Sequence, residues 1–302
     1  MKSIYITGVS GFVGVNLCSY LLSDYTVTGI SRKTTDALTY DRFFEQETDY
    51  DTLVHLAGKA HDLKKTSDDA EYYQVNYELT KRLYYQFLQS TAQKFIYISS
   101  VKAAADTVAG ILDEEVIPNP ITVYGKSKLM AEEYILQNLP QDKEVYILRP
   151  CMIHGPGNKG NLNLLYSIVS KGIPYPLGAY HNKRSFLSVE NLCFVIEKLL
   201  QNKIASGVYN IADDLSLSTT DIVSLVGDSL ARKASILAIP KGIIKTIAKI
   251  GDVLPIPINS ERLQKLTKNY VVSNAKIKTA LGIELPLSSK EGLLKTFKSF
   301  RE

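Results

Sequence analysis

"SIYITGVSGFVG", residues 3–14, sets an Ile/Tyr-rich run against a glycine-punctuated turn and the start of a helical pattern. Residues 3–7 read as a buried strand. Gly8, Gly11 and Gly14 follow at the spacing of a phosphate-binding turn. Gly8 permits the tight exit from the strand, Gly11 lets backbone approach a pyrophosphate, and Gly14 lets the next helix pack close to the sheet. The amides of that helix N-terminus, at Phe12 and Val13, then face the anion. The plainer alternative is a tight strand-to-helix turn without a ligand. The place of the motif, between a strand and a helix at the start of a βαβ unit, favours the phosphate reading.

The pattern repeats along the first half. Strands are predicted at 25–31, 52–57, 94–100 and 145–150, with helices near 12–22, 70–90 and 126–138. The strand runs are almost continuously apolar, as expected where helices cover both faces of a parallel sheet. Strand-helix alternation of this kind predicts right-handed crossovers and a doubly wound α/β Rossmann sheet. From residue 151 the texture changes to a Gly/Asn loop and an irregular Pro-containing connection, with a helix near 190–202 and a strand at 207–212 returning to the first style. The expected organisation is a nucleotide-binding domain at 1–155 plus about 186–212. A smaller substrate-binding domain is expected from about 156–185 and 213–302. The apolar stretch 236–258, with Lys at intervals, reads as a helix packed on that second domain, with a membrane-surface helix as the alternative.

The second strand ends Ser31-Arg32-Lys33, with no acidic residue to hold a ribose 2′-hydroxyl. Ser, Arg and Lys suit a 2′-phosphate, so NADP(H) is favoured. If Arg32 and Lys33 are solvated loop charges, the cofactor is NAD(H).

"YISSVKAAA" places Ser99 and Ser100 at the carboxyl end of a strand, where open α/β sheets bind ligands. "TVYGKSKLMAEE", residues 122–133, sets Tyr124 four positions before Lys128, on one face of a helix. A nearby ammonium lowers a phenol pKa, so Tyr124 is expected to be acidified by Lys128 and to exchange a sugar-hydroxyl proton during hydride transfer. A Ser100 hydroxyl bonded to the same oxygen would hold it in place.

With these residues in view, the chain resembles the extended short-chain dehydrogenase/reductases, the NAD-dependent epimerase/dehydratase family acting on nucleotide sugars. The similarity covers nearly the whole length. It rests on TGxxGFVG at 7–14, "HLAG" at 55–58, Asn76, "SS" at 99–100, YxxxK at 124–128, "LRP" at 148–150 and "RSFLSVENL" at 184–192. "SSVK", "GPGNKGN" and "NKRSFLSVENL" are most similar to the UDP-glucose 4-epimerase-like subgroup, which includes reductases of 4-keto UDP-sugars in surface-polysaccharide pathways.

The resemblance implies that Gly8, Gly11 and Gly14 hold the pyrophosphate, that Leu56, Ala57, Asn76 and Ser99 line the cofactor site, and that Lys128 also binds the nicotinamide ribose. Ser100 and Tyr124 would act on the sugar. Asn161, Leu162 and Arg184 would meet the UDP-sugar diphosphate, with Lys102 nearby as a further contact or a plain loop lysine. It also implies a homodimer through the helices near 70–90 and 124–138. Met152 stands where many C4 epimerases carry Asn, and the acidic residue after the second strand is missing. Both favour reductase over epimerase. "SVKAA" lacks the Asp-Glu pair of the 4,6-dehydratases, which argues against dehydration. A cofactor-sensing scaffold on this fold would not need Tyr124 and Lys128.

Composition is compatible with this. Net charge is +4, but residues 1–150 sum to −5 and residues 151–302 to +9. A basic second half suits an anionic ligand such as a nucleotide diphosphate, or is a solvated surface. No basic-aromatic array suggests nucleic acid. The three cysteines, Cys18, Cys151 and Cys193, read as separate buried thiols, and the four histidines show no metal-ligand spacing with them. The first residues form a strand pattern rather than a secretion signal, and no run is apolar enough to be an integral membrane segment, so a cytoplasmic enzyme is expected.

Overall fold

The apolar runs of the first half line up in one parallel sheet. In chain order the strands are β1 (Ser3–Thr7), β2 (Thr26–Ser31), β3 (Leu38–Thr39), β4 (Thr52–His55), β5 (Lys94–Ile98), β6 (Ile111–Leu112), β7 (Glu144–Pro150), β8 (Met152–His154), β9 (Phe186–Ser188), β10 (Gly207–Ile211) and β11 (Val271–Val272). The computed structural model describes residues 1–32, 37–45, 49–59, 68–158, 160–254 and 259–301; Lys33, His61, Lys159 and 255–258 lie outside them. The main sheet has seven strands in the order β10-β7-β5-β4-β1-β2-β3, with every pair parallel. The direction of winding reverses between β1 and β4. That switch point opens a crevice at the carboxyl ends, where Gly8, Leu56 and Ser99 emerge. The short pairs β8-β9 and β6-β11 lie outside the main sheet.

The helices are α1 (Phe12–Leu21), α2 (Tyr40–Glu45), α3 (Asp69–Tyr73), α4 (Leu79–Gln89), α5 (Val123–Gln137), α6 (Asn161–Ser170), α7 (Val189–Gln201), α8 (Thr219–Ser229), α9 (Lys241–Gly251), α10 (Ser260–Thr267), α11 (Ala275–Leu281) and α12 (Ser289–Ser299). One expected helix near 70–90 is α3 and α4 joined through a π turn, Gln74–Glu78. The expected helix at 126–138 starts three residues earlier. Thr122 Oγ1 accepts from Gly125 N at 3.2 Å, and the Asp106 carboxylate takes the amides of Ile121 and Thr122.

Two apolar clusters cover the faces of the sheet. One includes Ile4, Leu17, Ile96, Leu148 and Leu192; the other includes Leu53, Phe87, Phe95, Ile135 and Ile147. A third cluster lies among C-terminal elements. It joins Leu162 and Val169 of α6, Phe186 of β9, Val223 and Val226 of α8, Ile244 of α9 and Phe297 of α12. Residues 270–285 do not join it. Tyr270, Val272 and Ile277 pack into the sheet's own cluster, and β11 pairs with β6. Among the described residues no helix is long and apolar enough to cross a membrane.

Candidate active site

The glycine turn is set by contacts behind it. Gly8 has φ +74°, and a Cβ there would sit 2.7 Å from Ala57 N; one at Gly14 would sit 2.2 Å from Gly8 O. Those two glycines are demanded by the protein itself. At Gly11 a Cβ would meet only Gly8 O, at 3.2 Å, so its bareness serves what lies outside. α1 begins there with no side-chain cap and no acidic residue in its first turn, whereas Thr122, Ser188 and Ser288 cap α5, α7 and α12. Its amides therefore remain available to an anion. Phe12, Val13 and Leu56 are partly buried against the sheet cluster beneath the turn. These residues fit a dinucleotide pyrophosphate. Ser31, at the end of β2, is partly exposed and Arg32 exposed beside the same edge.

Behind the turn runs a chain of buried polar groups. Ala57 N donates to Thr7 Oγ1 at 3.1 Å, Thr7 Oγ1 meets His55 Nδ1 at 2.7 Å, and His55 Nε2 meets Thr80 Oγ1 at 2.9 Å. Thr80 Oγ1 spends its proton on Asn76 O at 2.7 Å. Its oxygen can then only accept from His55, so Nε2 carries the ring proton and Nδ1 accepts from Thr7. Burial, then the nearby Lys128 ammonium, holds His55 well below the usual imidazole pKa, consistent with this neutral tautomer.

The π turn swings Asn76 fully inward, as such turns do at functional sites. Its amide joins three segments: Oδ1 accepts from Lys59 N at 2.7 Å, and Nδ2 donates to Lys59 O at 3.1 Å and Ser127 Oγ at 3.0 Å. Gly58 lies between them. A Cβ there would reach within 3.0 Å of Lys128 Nζ and 3.1 Å of Asn76 Oδ1.

Tyr124 and Lys128 leave α5 on its inner face. Tyr124 hydrogen-bonds Ser100, and Ser100 Oγ also accepts from Lys102 N at 3.2 Å, capping the short turn Val101–Ala103. The expected acidification of Tyr124 does not occur in this structure. Burial dominates and raises its pKa, the Ser100 bond opposes that, and Tyr72, whose ring stands edge-on at 6.4 Å, raises it further. Lys128 is turned to the strand end, where its Nζ donates to Ile98 O at 2.9 Å and lies 4.8 Å from the Tyr97 ring centre.

Lys128 itself is shifted. Burial pulls its pKa down to about 8, with Glu132 pulling the other way. Glu132, one turn further along α5, is fully buried and paired with Arg149 of β7 at 2.5 Å, with a second contact at 3.0 Å; Ser99 also donates to it. The Ser99 hydroxyl is thus engaged beneath the crevice. Lys102 Nζ donates to Asp106 O at 2.9 Å and sits 4.3 Å over the Tyr270 ring. Tyr270 in turn bonds Ala105 O at 2.6 Å. Arg184 forms bridges to Leu217 and Tyr270 and is half-buried, with its pKa lowered by burial. Asn161 is exposed at the start of α6, while the Leu162 side chain is buried in the C-terminal cluster. Met152 packs on the same cluster.

Sequence reasoning quoted His55 and Gly58 only within the HLAG motif, without a role of their own, and passed over Asp106, Gly125 and Glu132. Gly125 sits inside the YGKSK motif, and a Cβ there would come within 2.5 Å of Lys102 O and 2.8 Å of Pro120 Cβ. It lets the start of α5 touch the turn that carries Ser100.

A parallel sheet with this switch point and glycine turn defines a Rossmann-type α/β protein. The profile of the NAD dependent epimerase/dehydratase family matches residues 4–212, and the chain belongs to that family. It is an enzyme fold of nucleotide-sugar epimerases and reductases that use NAD(P). A UDP-glucose 4-epimerase of Vibrio cholerae is 32% identical, over 99% of this chain and 95% of that protein. An N-acetyl-α-D-glucosaminyl-diphospho-ditrans,octacis-undecaprenol 4-epimerase of Escherichia coli O157:H7 is 27% identical, over 91% and 84%. A GDP-6-deoxy-D-mannose reductase of Pseudomonas aeruginosa is 28% identical, over 75% and 80%. Among solved structures, UDP-N-acetylglucosamine 4-epimerase from Bacillus cereus superposes with TM-score 0.80 at 20% identity, covering 100% of both chains. RMD from P. aeruginosa, complexed with NADPH, gives 0.75 at 23%, covering 99% of this chain and 98% of that one.

Two predictions follow from the packing. Gly125→Ala pushes α5 off the Ser100 turn, so kcat falls about 100-fold while dinucleotide affinity holds within about 3-fold; steady-state kinetics with a cofactor titration reads this, and unchanged kcat contradicts it. For Lys128, the unfolded chain keeps its proton to about pH 10.4, the folded chain only to about 8. Stability therefore rises with pH across that window, and below it the folded protein carries the cost of a buried ammonium. Lys128→Met, after loss of the Ile98 bond, is expected to stabilise at pH 7 by about 1 kcal/mol and to flatten that rise. Denaturant titrations across pH measure both.

Proposed function

We propose that this enzyme reduces the C4 ketone of a UDP-linked deoxy-sugar with NADPH. The observation that carries the reading is the edge of β2, which ends Ser31-Arg32 with no carboxylate at those two positions to repel a 2′-phosphate. Tyr124 adds support. Burial keeps its hydroxyl protonated, the form that gives a proton to a ketone.

When bound, the dinucleotide supplies the hydride. The chain's own residues then have distinct tasks. Gly8, Gly11, Phe12, Val13 and Gly14 seat the pyrophosphate, and Ala57, Asn76 and the backbone at Leu56 and Ser99 shape the nicotinamide end. Ser100 holds the C4 oxygen through a hydrogen bond, and Tyr124 Oη hands its proton to that oxygen as the hydride arrives at carbon. Lys128 reaches the ribose and the field around Tyr124. Arg184, Lys102 and the backbone at Asn161 and Leu162 take the sugar diphosphate, where Arg184 offers paired donors for phosphate oxygens. Residues 1–155 with 186–212 hold the dinucleotide. Residues 156–185 and 213–302 hold the nucleotide sugar, with 270–285 bracing that half against the sheet.

The similarity to the V. cholerae epimerase supports a second reading, C4 epimerisation of a UDP-hexose through a transient ketone. The similarity to an epimerase of an undecaprenyl-diphosphate sugar supports a variant of either reading in which the diphosphate carries a lipid.

The experiment supplies 4-keto UDP-deoxy-sugars and follows NADPH absorbance. Expected are NADPH consumption, a loss of about 1,000-fold in kcat for Tyr124→Phe, and about ten-fold weaker NADPH preference for Arg32→Ala. Protein that consumes no NADPH, retains NAD through purification and interconverts UDP-hexoses without added dinucleotide refutes the reductase and establishes the epimerase.

A further inference from the structure

Lys128 is only 4% exposed, and burial disfavours its charge. Glu132, one helical turn further along α5, is engaged by Arg149. The ammonium meets backbone and an aromatic face instead. Its Nζ donates to Ile98 O at 2.9 Å and stands 4.8 Å over the centre of the Tyr97 ring. Gly58 leaves the space beside it open, since a Cβ there would come within 3.0 Å of Nζ.

Tyr97 precedes Ile98 on β5, so one stretch of strand offers both the ring and the carbonyl. The ring is fully buried, and the His55 ring stacks on it with centres 5.4 Å apart and planes 22° apart. Burial holds the Tyr97 hydroxyl well above the ordinary phenol range, so the side chain is uncharged. The attraction is that of a ring quadrupole for a cation, which is strongest where water is excluded. Of the other titratable groups around Lys128, Glu132 favours the ammonium. His55 and Tyr124 are uncharged at neutral pH.

We propose that Tyr97 is a positioning residue of the active site: the face of its ring, beside the Ile98 carbonyl, seats the Lys128 side chain and preserves its charge. The consequence depends on where Lys128 titrates. With a pKa of about 8, about half the molecules carry the ammonium at pH 8. A fall of about one pH unit on loss of the ring would leave roughly a tenth of them charged. The use of that charge at the nicotinamide ribose rests on the function proposed above. The seat itself rests on the geometry of Tyr97, Ile98 and Lys128.

Side-chain NMR of labelled lysines in the full chain, with Lys128→Met for assignment, reads the titration of Lys128 in the parent, in Tyr97→Phe and in Tyr97→Leu. The midpoint is expected to be unchanged in Tyr97→Phe, which keeps the ring face. It should fall by about one pH unit in Tyr97→Leu, which keeps an apolar neighbour without a π face. Phenylalanines carrying one, two or three ring fluorines at position 97 keep the ring's shape while weakening its face. They should lower the midpoint in that order, and they carry the test if Tyr97→Leu folds poorly. NADPH affinity should follow: Tyr97→Leu matches the parent at pH 6 and binds about five-fold more weakly at pH 8. A packing defect alone would weaken binding at both pH values. An unchanged midpoint in the Tyr97→Leu and fluorinated proteins overturns the proposal. So does an equal fall in Tyr97→Phe and Tyr97→Leu, which would assign the effect to the hydroxyl. The titration needs neither substrate nor dinucleotide, so it fails separately from the proposed function, whose ribose contact is refuted if the midpoint falls and NADPH affinity does not follow.

Discussion

A single neutral imidazole governs how the crevice is put together. His55 ends β4, is wholly buried, and has a polar neighbour at each nitrogen: Thr7 from the end of β1 and Thr80 from α4. Through Thr7 it fixes the amide of Ala57, which presses on Gly8; through Thr80 it fixes the carbonyl of Asn76. The glycine turn and the π turn are thus aligned by one ring. In a low-dielectric interior such a chain is strong when complete and costly when broken.

From Asn76 the alignment passes to Ser127 and Lys59, and from the Gly58 backbone to Lys128. The charged side chains beneath the crevice are organised the same way. Glu132 is held by Arg149 and Ser99, and its field partly offsets the burial of Lys128. A buried ion pair of this kind is poor evidence for stability, because desolvation offsets most of its attraction. Its use here is positional: it keeps a carboxylate one helical turn from the lysine without letting that carboxylate take the lysine's ammonium as its partner.

Much of this was legible in the sequence, for particular reasons. The glycine spacing after a strand gave the sheet and its crevice, because Gly8 and Gly14 answer to backbone contacts every such turn must make. Tyr124 and Lys128 were visible because four-residue spacing fixes a helix face. The tyrosine's ionisation was misjudged: spacing places the two side chains together but does not say that Ile98 and Tyr97 compete for the ammonium. Gly125 was hidden because its constraint comes from Lys102 and Pro120, and the π turn because no local pattern marks one inserted residue. The packing of Tyr270, Val272 and Ile277 on the sheet's apolar cluster was invisible for a similar reason, since β11 finds its partner in β6, far back in the chain.

The central claim is therefore about one proton, and ¹⁵N NMR of the histidine rings, with His55→Gln for assignment, reaches it most directly. The account predicts that His55 is neutral with the proton on Nε2 and does not titrate as pH falls through about 6.5. Because the unfolded chain does bind that proton there, stability should be lost below this pH in the parent and less so in the variant. A His55 signal showing the Nδ1–H tautomer, or titrating near pH 6.5, would contradict the account.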